Sequence, residues 1–354
     1  MELVAVIMAG GVGSRFWPKS RAKEPKQLLN LFSENSMIQN TVERMNGLVK
    51  NENIYIVTNK VQKDLIAKQL TQLPLENIIE EPFGKNTAAA IGLASIVIDS
   101  KHKDAVTIVL PADHLINDKE EFQRVIKEAS NFAYTEKALV TIGINPTRPD
   151  TGYGYIQIDE NETETLHKVL RFAEKPNLDT AKRFLESGDF FWNSGMFIWR
   201  VDVILSEIAD HMLDLFEGLQ TISQAIGTVY FEDVLTKVYG ELKSISIDYG
   251  IMENSNNVRL IKGSFDWSDV GSWDAVYHLL EKDTKGNVGK GDVYFANSNG
   301  TYINAGNKFT AVIGVKDLLV INTDDATLVC HRDYAQDVKL IVDYLKMNKK
   351  DELL

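Results

Sequence analysis

Met8-Ala9-Gly10-Gly11-Val12-Gly13-Ser14-Arg15-Phe16-Trp17-Pro18, running on to Pro25-Lys26-Gln27, decides how this chain is read. Upstream, Leu3 to Met8 is an apolar run with Val4 and Ile7, the pattern of a buried strand. A strand that opens into glycines leaves backbone N–H groups bare at its carboxyl end, where no side chain blocks the approach of an anion. Cations follow at once: Arg15, Lys19, Arg21, Lys23 and Lys26, against Glu24 alone. The chain as a whole is acidic, with 38 basic and 50 acidic side chains among 354 residues and a formal charge of −12. A basic glycine loop in such a chain predicts a polyphosphate site, with backbone donors for the oxygens and Arg15 and Lys26 for the charge.

Two familiar glycine loops do not fit. The dinucleotide fingerprint G-x-G-x-x-G, begun at Gly11, needs a third glycine where Phe16 stands. The P-loop G-x-x-x-x-G-K-[ST] is absent. Gly11-x-Gly13-x-Arg15 with downstream Pro25-Lys26 instead resembles the signature loop of the sugar-1-phosphate nucleotidylyltransferases. Glycines alone would favour a tight strand-to-helix turn; Arg15, Pro18, Pro25 and Lys26 following in order reverse that balance.

Length and composition bound the rest. The chain exceeds one average domain, so a large domain with a smaller one is expected. Hydrophobic content of 44% and charged content of 25% are those of a soluble globular protein. The acidic excess argues against non-specific nucleic-acid binding. One cysteine, Cys330, cannot form an internal disulfide and fits a reducing compartment, packed as a small hydrophobe. No apolar stretch approaches about 20 residues, so no membrane span is expected. Met1-Glu2 leads into a strand without a basic n-region, which argues against a signal peptide and makes cytoplasm the expectation.

Taken in order, the first part alternates strand and helix. Leu3 to Met8, Ile54 to Val57, Asn77 to Glu80, Ala105 to Leu110 and Ala138 to Ile142 read as strands. Between them Ile38, Val42 and Met45 after a Ser36-x-x-Gln39 capping box, then Val61, Leu65 and the neighbouring Ile66, the alanine-rich Asn86 to Ile98, and Phe122, Val125, Ile126 and Ala129 read as helices. Repeated β-α-β units predict an α/β fold, a mainly parallel sheet with helices on both faces and ligands beyond the carboxyl ends of the strands. After Pro146 the rhythm changes. Gly152 to Ile158 and Val169 to Ala173 read as paired strands, Asn177 to Leu185 as a helix, Met196 to Trp199 as a strand and Val203 to about Ala225 as helical, an insertion suited to a second substrate. From Asn287, short strands at Val293 to Phe295, Thr301 to Ile303, Phe309 to Ile313 and Leu318 to Ile321 recur between Gly and Asn, which predicts a small all-β domain closed by a helix over Ala335 to Met347.

Further motifs carry chemistry. In Leu110-Pro111-Ala112-Asp113-His114 a carboxylate follows a buried strand, placed to hold Mg²⁺ against phosphate oxygens or to cap the next helix. Glu81-Pro82-Phe83-Gly84-Lys85-Asn86-Thr87 opens the small-residue helix, where Asn86 or Thr87 can cap and a base or ribose can approach; the Glu80-Glu81 pair disfavours phosphate there. Arg171-Phe172-Ala173-Glu174-Lys175-Pro176 sets a lysine at a strand end, Trp192-Asn193-Ser194-Gly195 an amide before a turn, and Asp266-Trp267-Ser268-Asp269-Val270-Gly271-Ser272-Trp273 a second carboxylate between aromatic rings. Each has an ordinary structural use, as a solvated Lys, a turn Asn or a capping Asp. Together they make one inventory: cations for phosphates, two Asp for a divalent metal, and amide and carboxylate groups for sugar hydroxyls.

This ordered set, with Thr151-Gly152-Tyr153-Gly154-Tyr155-Ile156, is similar to that of the mannose-1-phosphate guanylyltransferases within the nucleotidylyltransferase family, over roughly the first 275 residues, with Ala173 where the family's F-V-E-K-P has valine. The resemblance implies a Rossmann-like catalytic domain over 1–285 and a small all-β domain over 286–354, an abbreviated left-handed β-helix because no hexapeptide repeat is evident. By the length of the tail, the extra isomerase domain of bifunctional members is not expected. It implies GTP and mannose 1-phosphate as substrates, GDP-mannose and pyrophosphate as products, and Mg²⁺ as cofactor. By residue it implies Gly10 and Gly11 under the nucleotide, Arg15 and Lys26 on its phosphates, Asn86 and Thr87 near the guanosine, and Asp113 and Asp269 on the metal. Gly154, Glu174 and Asn193 then face the mannose, and Lys175 grips the sugar phosphate. Guanine as the base comes from the resemblance alone, so UTP- or dTTP-dependent relatives and a silent nucleotide-sugar-binding regulator stand as alternatives. No nucleic-acid or membrane partner is expected, and a homodimer is allowed but not required.

Overall fold

The computed structural model describes residues 1–159 and 165–354. The chain packs as two compact units, each assembled from separate stretches. The first comprises Met1–Gly10, Thr41–Ala112 and Ile116–Trp267, the second Gly11–Asn40, Asp113–Leu115 and Ser268–Leu354.

The first unit is built on a 9-stranded sheet. Its strands are β1 (Leu3–Met8), β2 (Ile54–Asn59), β3 (Ile78–Glu81), β4 (Val106–Pro111), β5 (Leu139–Ile144), β6 (Tyr155–Ile158), β7 (Leu166–Ala173), β8 (Phe190–Arg200) and β9 (Val258–Gly263). Their order is β3-β2-β1-β4-β8-β5-β9-β7-β6, with β6 also paired to β8. All but β7 and β8 run in one direction, so the sheet is mainly parallel as expected. Val4, Ala5, Val6 and Ile7 of β1 are buried, as both-face covering by helices requires. The helix Asn86–Lys101 is apolar on every side because it is covered on every side. Gly92 lets Leu219 approach it so closely that a Cβ would stand 2.6 Å from Leu219 Cδ1. The single helix expected from Val203 to Ala225 is two, Val201–His211 and Leu213–Ala225. Met212 between them has φ −137° and ψ 61°, and its thioether packs where Gly250 has no side chain.

The second unit joins the glycine-loop sequence to the carboxyl-terminal strands. The Ser36 capping box is realised in both directions, Ser36 N to Gln39 Oε1 at 2.9 Å and Gln39 N to Ser36 Oγ at 3.4 Å. β10 (Val288–Lys290), β12 (Tyr302–Asn304) and β14 (Leu318–Asn322) stack in parallel, β15 (Thr327–His331) closes that sheet antiparallel, and β11 (Val293–Ala296) pairs in parallel with β13 (Thr310–Ile313). Consecutive parallel rungs of this kind are the coils of a β-helix-like solenoid, with Val288, Tyr302 and Leu319 in one file. Gly306 makes one corner at φ 59°, where a Cβ would meet Asn322 O at 3.0 Å. Asn287 ties two rungs, receiving Thr301 N at 3.2 Å and donating to Ser298 O at 2.9 Å. Cys330 is a half-buried small hydrophobe packed against this core. No helix among the described residues is long and apolar enough to cross a membrane.

Trp273 is the hub of that core. It is fully buried, its Nε1 donates to Trp17 O at 3.1 Å, and its ring lies 5.1 Å from Phe16 and 6.2 Å from Tyr302. It thus joins the glycine-loop segment to the solenoid. We expect Trp273→Ala to cost about 3–5 kcal/mol, the usual penalty for emptying a buried aromatic site. Urea denaturation checks this, and a loss under about 1 kcal/mol would remove Trp273 from its place as hub.

Candidate active site

Gly13 turns the loop back on itself. Its φ is 71°, in the left-handed region that glycine tolerates, and a Cβ there would stand 2.5 Å from Lys26 Cβ. The loop therefore packs directly on Pro25-Lys26-Gln27, with Lys26 N donating to Val12 O at 3.3 Å and Gln27 Nε2 to Gly11 O at 2.9 Å. The Lys26 side chain is buried. Its Nζ lies 2.8 Å from Asp113 Oδ2, donates to Asp269 O at 2.7 Å, and sits 5.3 Å from the centre of the Phe16 ring. Burial pushes the Asp113 carboxyl up, but the Lys26 ammonium and His114 together outweigh it and hold the group below the usual carboxylate range. Asp113 is thus ionised at neutral pH. Neither aspartate is a helix cap: Asp118 receives Glu121 N at 3.0 Å and Ser272 receives Ala275 N at 3.4 Å. The Asp269 carboxylate folds over Gly271, where a Cβ would stand 2.9 Å from Oδ2. The next residue, Val270, is buried with φ 47°, a conformation that β-branched residues rarely adopt. The structure therefore brings Lys26, Asp113 and Asp269 together. Arg15, in the turn Ser14–Phe16 of the same segment, is exposed and makes no ion pair among the described residues.

The acidic side chains here, Asp113 and Asp269, are hard oxygen donors. That suits Mg²⁺, which takes one or two protein carboxylates and fills its shell with phosphate oxygens and water. It does not suit a transition-metal site, which would use imidazole or thiolate.

The first-unit residues expected from sequence to meet the nucleotide lie at two loops. Gly10 is exposed after β1, and a Cβ on it would stand 3.3 Å from Glu81 Oε1. Glu81, at the end of β3, is buried and accepts the Tyr239 hydroxyl. Burial pushes its carboxyl up to about 7, and the Tyr239 hydrogen bond opposes that rise. Asn86 and Thr87 do not cap the helix they open. Asn86 has φ 67° and receives Thr87 N at 2.8 Å, while Thr87 Oγ1 receives Ile247 N at 2.8 Å. The 245–247 segment claims this end of the helix, as Ala88 N also donates to Ile245 O at 3.2 Å.

The residues assigned to the sugar converge elsewhere in that unit. Gly154 is buried, and a Cβ on it would stand 2.5 Å from Glu174 Oε1 and 3.3 Å from Asn193 Cβ. Asn193 N donates to Gly154 O at 2.8 Å. Lys175 follows Glu174 at φ 41° and is exposed, its Nζ 3.7 Å from Glu174 Oε2. Tyr153 packs 4.8 Å from Trp192 and 5.5 Å from Trp267, and Arg148 lies 5.2 Å over the Trp192 ring. Two carboxylates escape the sequence reading. Asp248 accepts Asn193 Nδ2 at 2.8 Å, and its carboxyl is pushed up to about 6 by burial and by Glu174, against the Asn193 bond and Lys175. Glu81 lies inside a motif named above, but only its inward register on β3 singles it out from Glu80.

A nucleotidyl transferase family model matches residues 4–286, and a model described as MannoseP isomerase/GMP-like beta-helix domain matches residues 291–345. The chain is 43% identical to the mannose-1-phosphate guanylyltransferase of Klebsiella pneumoniae, over 99% of this chain and 75% of that protein. Identity and coverage are the same for one from Escherichia coli. A crystal structure described as mannose-1-phosphate geranyltransferase from Thermus thermophilus superimposes with a TM-score of 0.87 at 31% identity, over 98% of this chain and 100% of that one. With a basic glycine loop whose Lys26 meets Asp113 and Asp269, a Rossmann-like sheet, a β-helix-like tail and this identity over nearly its whole length, the chain belongs to the mannose-1-phosphate guanylyltransferases of the nucleotidyl transferase family.

Proposed function

We propose that the guanylyl transfer runs by direct in-line displacement between GTP and mannose 1-phosphate. A phosphate oxygen of the sugar 1-phosphate forms a bond to the α-phosphorus, and the bond from that phosphorus to the oxygen bridging to the β-phosphorus breaks. Pyrophosphate leaves with the electron pair and GDP-mannose remains. The nucleophile is already an anion, so no general base is required. The difficulty is electrostatic: two like charges about 4 Å apart repel by about 4 kcal/mol at an effective dielectric near 20, and both substrates are polyanions. In this reading Lys26 and Arg15 bind the nucleotide phosphates, Lys175 binds the sugar phosphate, and Gly10 and Gly11 lie under the nucleotide. Asn86 and Thr87 lie beside the guanosine, and Gly154, Glu174 and Asn193 take the mannose hydroxyls. Asp113 and Asp269 would hold Mg²⁺, which when bound neutralises phosphate charge and aligns the displacement.

One observation carries this reading most directly: the buried Lys26 ammonium, between the Asp113 carboxylate and the Asp269 carbonyl. A cation fixed in that way costs little further ordering when a phosphate arrives. The reading is tested by pyrophosphate release across four nucleoside triphosphates and several sugar 1-phosphates. GTP with mannose 1-phosphate should turn over fastest. A better UTP or dTTP pair would reassign the base, and a silent matrix would favour a regulatory protein.

Lys26→Ala should lower kcat about ten- to hundredfold, the loss of one charge-assisted contact of about 1.5–3 kcal/mol. Wild-type kinetics in a folded variant would remove Lys26 from the chemistry.

Asp113→Asn and Asp269→Asn should each nearly abolish turnover, and the double variant should be little worse than either, because both serve one ion. Mn²⁺ binding in the presence of GTP, followed by electron paramagnetic resonance, gives a readout apart from turnover. Undiminished Mn²⁺ affinity in both single variants would refute the shared metal.

A further inference from the structure

Asp248 begins a single π-helical turn, Asp248–Met252, the kind of local widening that recurs where a chain must re-aim a functional side chain. Its Oδ1 accepts Asn193 Nδ2 at 2.8 Å. At its other end the Asn193 carboxamide accepts Gly195 N through Oδ1 at 3.0 Å. A carboxamide has one acceptor oxygen and two N–H donors. Here the oxygen and one N–H are committed, and among the described residues the second N–H has no acceptor. The opposite flip would turn Oδ1 on the Asp248 carboxylate and Nδ2 on the Gly195 N–H, two repulsions at once. Gly195, at φ 68°, and the bond from Asn193 N to Gly154 O hold the backbone of that turn. Asp248 and the Gly195 N–H thus favour the same flip from the two ends of the carboxamide, and Asp248 is the side chain of the two.

The position is an expensive one for a carboxylate. Burial and the neighbouring Glu174 both disfavour its charge, with Lys175 the cation that opposes them. Glu253, at the end of the same turn, is likewise pushed up by burial and by Glu174. A carboxylate kept in such company serves something besides solvation.

We propose that Asp248 is a positioning residue for sugar recognition: it fixes the flip of the Asn193 carboxamide so that the remaining N–H is presented to a hydroxyl oxygen of the sugar 1-phosphate. This rests on the reading that Asn193 faces the sugar. Asp248 touches no reacting atom; it acts through Asn193.

The test uses the full chain with GTP and mannose 1-phosphate. Asp248→Ala should raise the KM for mannose 1-phosphate about ten- to hundredfold, with the KM for GTP unchanged within about twofold. Asp248→Asn still offers an acceptor oxygen to Asn193 Nδ2 and should recover most of the loss. Should Asp248→Ala not fold, Asp248→Ser, too short to reach Asn193, takes its place with the same expectation. In the ligand-free protein, the side-chain amide NMR signals of Asn193, assigned by their loss in Asn193→Ala, should shift and broaden in the Ala or Ser variant and keep their dispersion in Asp248→Asn. An unchanged sugar KM, an equal rise in both KM values, or unmoved Asn193 signals in the Ala or Ser variant would each overturn the proposal. If Asn193→Ala itself leaves the sugar KM unchanged, the sugar-facing assignment of Asn193 fails. If Asn193→Ala raises it and Asp248→Ala does not, the role of Asp248 alone is lost.

Discussion

A buried ammonium survives only where acceptors surround it, and Lys26 draws them from two distant stretches of the chain. Asp113 supplies a carboxylate and Asp269 a carbonyl, at 2.8 Å and 2.7 Å. All three stretches belong to the second unit, in which the short Asp113–Leu115 segment packs with Gly11–Asn40 and Ser268–Leu354. Gly13 makes the arrangement possible, because any Cβ at its left-handed φ would collide with the lysine. Around this cation the core follows. Phe16 lies under the ammonium and against Trp273, and Trp273 packs on Tyr302 of the solenoid.

The fold was legible where apolar character dominates a run. β1 is apolar throughout, β2 opens on Ile54-Tyr55-Ile56-Val57, and β4 is interrupted only by Thr107 before Pro111; their limits in the structure lie close to those read from sequence. β9 was missed although it lies inside the sheet between β5 and β7, because Arg259 and Lys262 interrupt Val258-Arg259-Leu260-Ile261-Lys262-Gly263. Those long side chains can lay their stems along the sheet and end in solvent, as Lys262 does over the Phe191 ring at 4.9 Å. The helix Phe231–Glu241 was missed for a related reason: Leu235 and Tyr239 are its buried residues, too few to establish a period. In the solenoid, β10 and β15 escaped because a strand of three to five residues with glycine, threonine or histidine in it carries little alternation.

The candidate site was legible as composition but not as conformation. Glycine before cations, a carboxylate after a buried strand and an amide before a glycine are all visible in the residues. The backbone angles at Asn86, Lys175 and Val270 are not, since nothing in those residue types calls for φ of 67°, 41° and 47°. Such strain is imposed by surrounding packing, and at Val270 that packing is a fully buried side chain. Asp248 shows the same limit from another side. Its segment, Ser246-Ile247-Asp248-Tyr249-Gly250, has neither helical nor strand period, and its carboxylate acquires meaning only when Asn193 arrives from 55 residues away. That Asp113 and Asp269 do not cap a helix was not legible in the sequence either; Asp118 and Ser272 had to be seen capping the neighbouring helices.

The charge arrangement of the sugar cluster gives it a direction. Glu174 is 10% exposed and Lys175 is 66% exposed, although they are adjacent in sequence. The left-handed backbone at Lys175 is what sends consecutive side chains to different depths. The interior is thus lined by acceptors, Glu174 with Asp248 beside it, and the cation stands outside. A sugar 1-phosphate has hydroxyl donors at one end and a dianion at the other. Entering phosphate first, it would bring like charges together at about 4 kcal/mol per pair at 4 Å and an effective dielectric near 20. If it enters ring first, as the proposed roles require, Glu174 would accept its hydroxyls and its phosphate would be left beside Lys175. On the proposed reading, an acidic interior under a basic rim therefore orients the substrate before any contact with the sugar becomes specific, with the phosphate, which must act as nucleophile, on the outside.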